Sequence, residues 1–191
     1  MNVGQTCIAP DYVMVHKDVE DVLFKALIKT IEEFFGKDIQ KNKDYSRIIN
    51  EKHTKRLIKL IEAVKDKNNL YGGKYDIQDK YIEPTIIRNV TPDDLCMQDE
   101  VNQLFFFNHF KKIFGPILPI MKIENIKQAV QFVRSRPKPL ALYIFSNNQQ
   151  VIDYVLAHTS SGGVCVNDVM LHNVVPTLPF GGGKRKSFSI N

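Results

Sequence analysis

Residues 117–166 read ILPIMKIENIKQAVQFVRSRPKPLALYIFSNNQQVIDYVLAHTSSGGVCV, and the alternation within them decides the fold. Ile117–Ile123 is a strand candidate. Glu124 to Arg134 follows as a helix, with Ile126, Ala129, Val130 and Val133 recurring on one face. Leu140 to Phe145 reads as a buried strand. Asn148 to His158 reads as a second helix carrying Val151, Ile152, Val155 and Leu156, and Gly163–Val166 as another strand. A β-α-β-α-β run with short links predicts an α/β layer with parallel strands. Ligands in such sheets sit at the carboxyl ends of strands. Asn167-Asp168 and the turn Pro179-Phe180-Gly181-Gly182 follow the last strand.

Upstream, Asp18 reads as the N-cap of an amphipathic helix in which Val19, Val22, Leu23, Ala26, Leu27, Ile31 and Phe34 recur at helical spacing, ending at Gly36. Asn50 reads as the cap of a second helix, with Leu57, Leu60, Ile61 and Val64 on one face. Both stripes are read as core packing. Tyr81 to Val90 is rich in β-branched residues around Pro84 and reads as extended, and Thr91-Pro92-Asp93-Asp94 is a turn signal.

The first residues, Met1-Asn2-Val3-Gly4-Gln5-Thr6-Cys7-Ile8-Ala9-Pro10-Asp11-Tyr12, place a cysteine in a Gly-containing turn ahead of a short strand-like run, Tyr12 to Val15. Such a thiol can be held where a substrate reaches it, and a thiolate is a strong nucleophile. From the residues alone, an inert, partly buried thiol is the commoner outcome for a single cysteine.

Composition narrows the classes. The chain has 191 residues, of which 43% are hydrophobic, enough for a real core and one domain-sized unit. The net charge of +5 comes from 26 basic against 21 acidic residues, interleaved along the chain, which reads as solvated helix faces rather than a nucleic-acid surface. The dense basic run is confined to Lys184-Arg185-Lys186. The three cysteines, Cys7, Cys96 and Cys165, form no C-x-x-C pair, so neither a zinc ribbon nor a thioredoxin-like motif is supported, and reduced thiols in a cytoplasmic setting are expected. His16, His53, His109, His158 and His172 show no metal-ligand spacing. A Cys-His hydrolase pairing Cys7 with His172 needs only spatial proximity, but nothing local supports it. No signal-peptide core and no apolar run long enough to span a membrane are present.

The opening segment closely resembles the active-site segment of the aldehyde dehydrogenase superfamily, and its continuation Ile8-Ala9-Pro10-Asp11-Tyr12 resembles the class 3 branch, which acts on fatty and aromatic aldehydes. Further matching blocks follow in order: Glu83-Pro84-Thr85, Met97-Gln98-Asp99-Glu100, Ile113 to Pro119, Arg136 to Tyr143, Ser160 to Val164, Asn167-Asp168 and Leu178 to Gly182. The resemblance implies the catalytic-domain fold of that family over residues 1–182, a mostly parallel sheet with flanking helices. It implies oxidation of an aldehyde to a carboxylic acid with NAD or NADP, with Cys7 as the nucleophile. The Cys7 backbone N–H is one candidate oxyanion donor. A general base completes the reaction by activating water on the thioester. Glu100 and Phe114 match cofactor-contacting residues, and Phe180 is placed in the substrate funnel.

Two departures stand out. Residues 101–112 interrupt the family pattern between Glu100 and Ile113, either as an unspliced or mispredicted segment or as a lineage-specific loop, so Glu100 and Phe114 are not adjacent along the backbone. After Gly182 the match stops, and residues 183–191 replace the arm that supports the family's usual homodimer. Since the match begins just before Cys7, the resemblance implies a chain without the Rossmann-like cofactor domain, the glutamate base and the oxyanion-hole asparagine. Impaired activity, exposed apolar patches, or an inactive chain pairing with full-length subunits are the expectations that follow.

Overall fold

The computed structural model describes residues 2–64, 69–98 and 113–182. Glu100, the 101–112 segment and the tail 183–191 lie outside the described residues. The chain divides into two compact units, residues 1–122 and 123–191.

The first unit is built on a four-stranded sheet in the order β1-β6-β5-β2, from β1 (Val13–His16), β2 (Leu70–Tyr71), β5 (Thr85–Ile87) and β6 (Ile117–Ile123). β5 and β6 run parallel with Thr85 opposite Ile117, while β2 joins β5 antiparallel, so the sheet is mixed. A separate antiparallel pair is formed by β3 (Tyr75–Asp76) and β4 (Tyr81–Ile82). One face of the sheet, Val15, Ile86 and Ile120, is covered by helix α1 (Glu20–Phe35) through Leu23, Phe24, Leu27, Ile28 and Ile31.

This is not the stripe expected from spacing. Val19, Val22 and Phe34 are exposed, and Phe24, Ile28 and Phe35 take their places inward. The apolar arc of α1 is wide enough for two faces, and the sheet selects the one that buries Phe24 under the Arg88 guanidinium, 4.3 Å from the ring. Asp18 is also not the helix cap. His16 Nδ1 accepts from the Asp18 N–H and starts a 3₁₀ turn, Lys17–Val19, that runs into α1. Gly36 closes the helix as expected, with its N–H on the Glu32 carbonyl.

Helix α2 (Glu51–Glu62) begins where the sequence places it: the Asn50 side chain accepts from the His53 N–H, and Leu57 and Ile61 are fully buried. The buried Glu20 carboxylate, 1% exposed, is held by the Arg88 guanidinium at 2.6 Å and by Lys122 Nζ at 3.5 Å. The Arg88 hydrogen bonds hold its pKa below the ordinary 4.5.

The second unit contains α3 (Ile126–Ser135), β7 (Ala141–Ile144), α4 (Gln149–His158) and β8 (Gly163–Val166). Asn125 and Asn148 cap the two helices through their side chains. β7 and β8 pair in parallel, with Ala141 opposite Gly163. Their core, Val130, Ile144, Ile152 and Val155 with Leu142, gathers both helices. The expected β-α-β-α-β layer is thus split: β6 pairs with β1 and β5, and β7 with β8. Local periodicity identifies strands, while partners depend on contacts remote in sequence. Nor is β7 fully buried; only Ile144 is, and Phe145 beyond it is 67% exposed.

Candidate active site

Cys7 is exposed on the turn that leads from a short 3₁₀ turn, Asn2–Gly4, into β1. The turn is fastened on both sides of the thiol. Before it, the Gln5 side chain donates to the carbonyls of Asn2 and Arg47 and accepts from the Ile49 N–H at 2.9 Å. After it, Ile8 is 1% exposed, and the Ala9 N–H closes onto the Thr6 carbonyl. An exposed residue between two fixed neighbours has little backbone freedom left to lose when a ligand binds.

Underneath, Val3 packs on a cluster of Ile39, Tyr45 and Tyr81. The Phe35, Tyr45 and Tyr81 rings meet edge-on at 5.1 and 5.8 Å. The Tyr45 hydroxyl donates to the Ile82 carbonyl at 2.8 Å, and burial raises its pKa; the same cause pushes Tyr81 up to about 12. Arg47, whose carbonyl holds Gln5, is itself fixed by Asp79 at 2.9 Å and lies over the Tyr81 ring.

Phe114, one of the two cofactor candidates, is brought to this turn. Gly4, at φ 77, lies so close to the Gly115 carbonyl that an added Cβ would overlap it. The preceding residue is clamped at both of its backbone groups: the Ile113 N–H donates to Asp11 Oδ1 at 3.1 Å, and its carbonyl accepts from the Arg56 guanidinium. Burial pulls the Arg56 pKa down, and the nearby Asp11 charge opposes this. Phe114 itself has φ 50 and is 44% exposed, so its ring is offered outward from a rigid base. The Phe114 turn precedes the amino end of β6. Cys7 is positioned here by backbone contact between two turns. The second cofactor candidate, Glu100, is outside the described residues.

Phe180 belongs to the second unit, 47% exposed on a turn whose Gly181 carbonyl approaches Gly162 too closely for a side chain there. Asn167 is structural. Its side chain accepts from the Ser146 N–H at 2.9 Å and donates to the Ser146 carbonyl at 3.1 Å, tying together the ends of β7 and β8. His172 Nδ1 lies 3.5 Å from Cys165 Sγ.

Sequence reading missed Gln5, Asp11 and Arg56 as positioning residues. Gln5 and Asp11 flank Cys7 within the quoted segment, which is a signal of sorts. Arg56 gave none, because its role depends on a carbonyl 57 residues away. Among the described residues, no group of three or more His, Cys, Asp or Glu side chains could hold a metal ion. Likewise, no helix among them is long and apolar enough to cross a membrane.

Residues 1–189 match the model of the family described as the Aldehyde dehydrogenase family. The chain is 44% identical over 182 residues to the dimeric NADP-preferring aldehyde dehydrogenase of Mus musculus, covering 95% of this chain and 37% of that protein. It is 44% identical over 181 residues to the 4,4'-diaponeurosporen-aldehyde dehydrogenase of Staphylococcus aureus, again covering 95% of this chain and 37% of the relative. Among solved structures, the substrate-bound state of Staphylococcus aureus AldH superposes with a TM-score of 0.85 at 42% identity, over 95% of this chain and 37% of that one. The chain therefore spans little more than a third of the length of these relatives.

Proposed function

The chain belongs to the aldehyde dehydrogenase family, and from that membership we propose that it carries the nucleophile-bearing part of an enzyme that oxidises aldehydes to carboxylic acids. The observation that carries this reading is the exposed Cys7 thiol on a turn fixed by Gln5, Ile8 and the Gly4–Gly115 approach.

Cys7 Sγ adds to the aldehyde carbon as the carbonyl π pair moves to oxygen, giving a thiohemiacetal. After oxidation the same sulfur holds the acyl group as a thioester, which water cleaves to release the acid and restore the thiol. The exposed ring of Phe114 fits a flat nicotinamide: it is aromatic, outward-facing and set on a clamped backbone. NAD or NADP bound there supplies the two-electron acceptor. Glu100 is proposed as a further cofactor contact, and Phe180 as a contact for the apolar part of the substrate. Asp11 and Arg56 position the Phe114 turn, and so act through Ile113 rather than on the reactants.

Two measurements on the purified chain test the reading. One is aldehyde-dependent formation of reduced nicotinamide with NAD or NADP over a panel of aliphatic and aromatic aldehydes. The other is protection of Cys7 from alkylation by the same aldehydes, read by peptide mass spectrometry against Cys96. Cys7→Ser is expected to lower turnover at least about a thousandfold. Turnover that survives Cys7→Ser, or aldehydes that neither turn over nor protect Cys7, would sink the proposal.

A further inference from the structure

The second unit contains a thiol–imidazole pair that the aldehyde chemistry at Cys7 does not use. On β8, Cys165 shares a side of the strand with Gly163, and the β7–β8 register sets Tyr143 opposite it. A 3₁₀ turn, Leu171–Val174, carries His172 over this side. Its Nδ1 lies 3.5 Å from Cys165 Sγ, and its ring centroid is 6.0 Å from that of Tyr143. Gly163 makes the arrangement feasible, because an added Cβ would stand 2.9 Å from His172 Cδ2. Cys165 and His172 are both half-buried, so solvent still reaches the pair. A base held within hydrogen-bond range of a thiol is the arrangement that generates a nucleophilic sulfur, provided an electrophile can approach.

We propose that Cys165 and His172 form a second nucleophilic site, which takes α,β-unsaturated carbonyl compounds by conjugate addition. His172 Nδ1 accepts the thiol proton. The sulfur electron pair forms a bond to the β-carbon, and the C=C π pair shifts toward the carbonyl to give an enolate. His172 then delivers that proton to the α-carbon and is restored as the neutral base. The C=C bond is replaced by a thioether, nothing is oxidised or reduced, and the carbonyl is retained. The pair stands within one unit, so this proposal does not depend on the role given to Cys7.

The test treats the full chain, in a Cys7→Ser background, with limiting N-ethylmaleimide. Occupancy of Cys165 and Cys96 is followed over time by peptide mass spectrometry. Cys165 is expected to be labelled first. His172→Gln keeps a polar side chain of similar size but removes the base, and is expected to slow labelling of Cys165 by about tenfold or more. Gly163→Ala keeps both partners and displaces the ring, and is expected to slow it as well. Cys96 serves as the internal reference and is expected to react at the same rate throughout. Labelling of Cys165 at the wild-type rate in either folded variant overturns the proposal, as does a Cys165 that stays unlabelled while Cys96 reacts.

Discussion

Cys7 and Cys165 are both reachable thiols, but the regions around them are built differently. Around the Cys7 turn, side chains hold remote backbone, Gln5 to Arg47 and Ile49 and Asp11 and Arg56 to Ile113, while the Gly4 backbone closely approaches the Gly115 carbonyl. Cys165 lies on a two-stranded sheet whose alternate residues Val164 and Val166 are 37% and 40% exposed, and its nearest polar partner is a side chain seven residues away. One thiol is defined by a fixed backbone, the other by a neighbouring base. Precision of placement and activation of the sulfur are separate properties, and exposure alone supplies neither.

The contrast can be broken most directly at Gly4. Gly4→Ala combines a left-handed backbone with overlap on the Gly115 carbonyl, and is expected to cost at least about 3 kcal/mol in urea unfolding. The same change displaces the Cys7 turn, so aldehyde turnover is expected to fall about a hundredfold in the protein that remains folded. Unchanged stability would mean that the two turns are not in the contact described.

The next largest effect is expected at Arg88, which separates general stability from the thiol turn. Arg88→Ala leaves the Glu20 carboxylate buried with Lys122 alone, and is expected to cost about 2 kcal/mol near neutral pH. The sign of the pH dependence follows from the lowered Glu20 pKa. Stabilisation by the ionised carboxylate is complete above its ordinary 4.5 and is lost as pH falls through the lower folded value. The gap between wild type and Arg88→Ala should therefore narrow in acid. A gap that holds constant from about pH 7 to about pH 3 would remove Glu20 from the account.

Asp11→Ala removes one of the two clamps on Ile113 and is expected to cost about 1.5 kcal/mol. Its sharper readout is kinetic: a positioning role predicts a larger fall in kcat than rise in KM, and Asp11→Asn, which keeps an acceptor oxygen, is expected to restore much of the loss. At the other extreme, Val164→Thr on the half-exposed strand is expected to change stability by no more than about 0.5 kcal/mol. A larger loss would show that this sheet is as tightly built as the Cys7 turn.

What the sequence by itself determined was local. The two strands at 117–123 and 163–166, the Asn50 cap, the helix read from Asn148 to His158, the Gly36 stop and the Thr91–Asp94 turn are written in short-range chemistry, and each appears at its expected place. The family was also legible, because the segment around Cys7 opens a resemblance that runs through several ordered blocks. Tertiary structure decided which face of α1 turned inward, because an apolar arc that could pack either way was fixed by Phe24 and the sheet. It decided that β6 pairs with β1 and β5 rather than with β7, because strand pairing is settled by partners far away in sequence. And it decided that His172 belongs to Cys165, because only a bare Gly163 leaves room for the imidazole beside that sulfur.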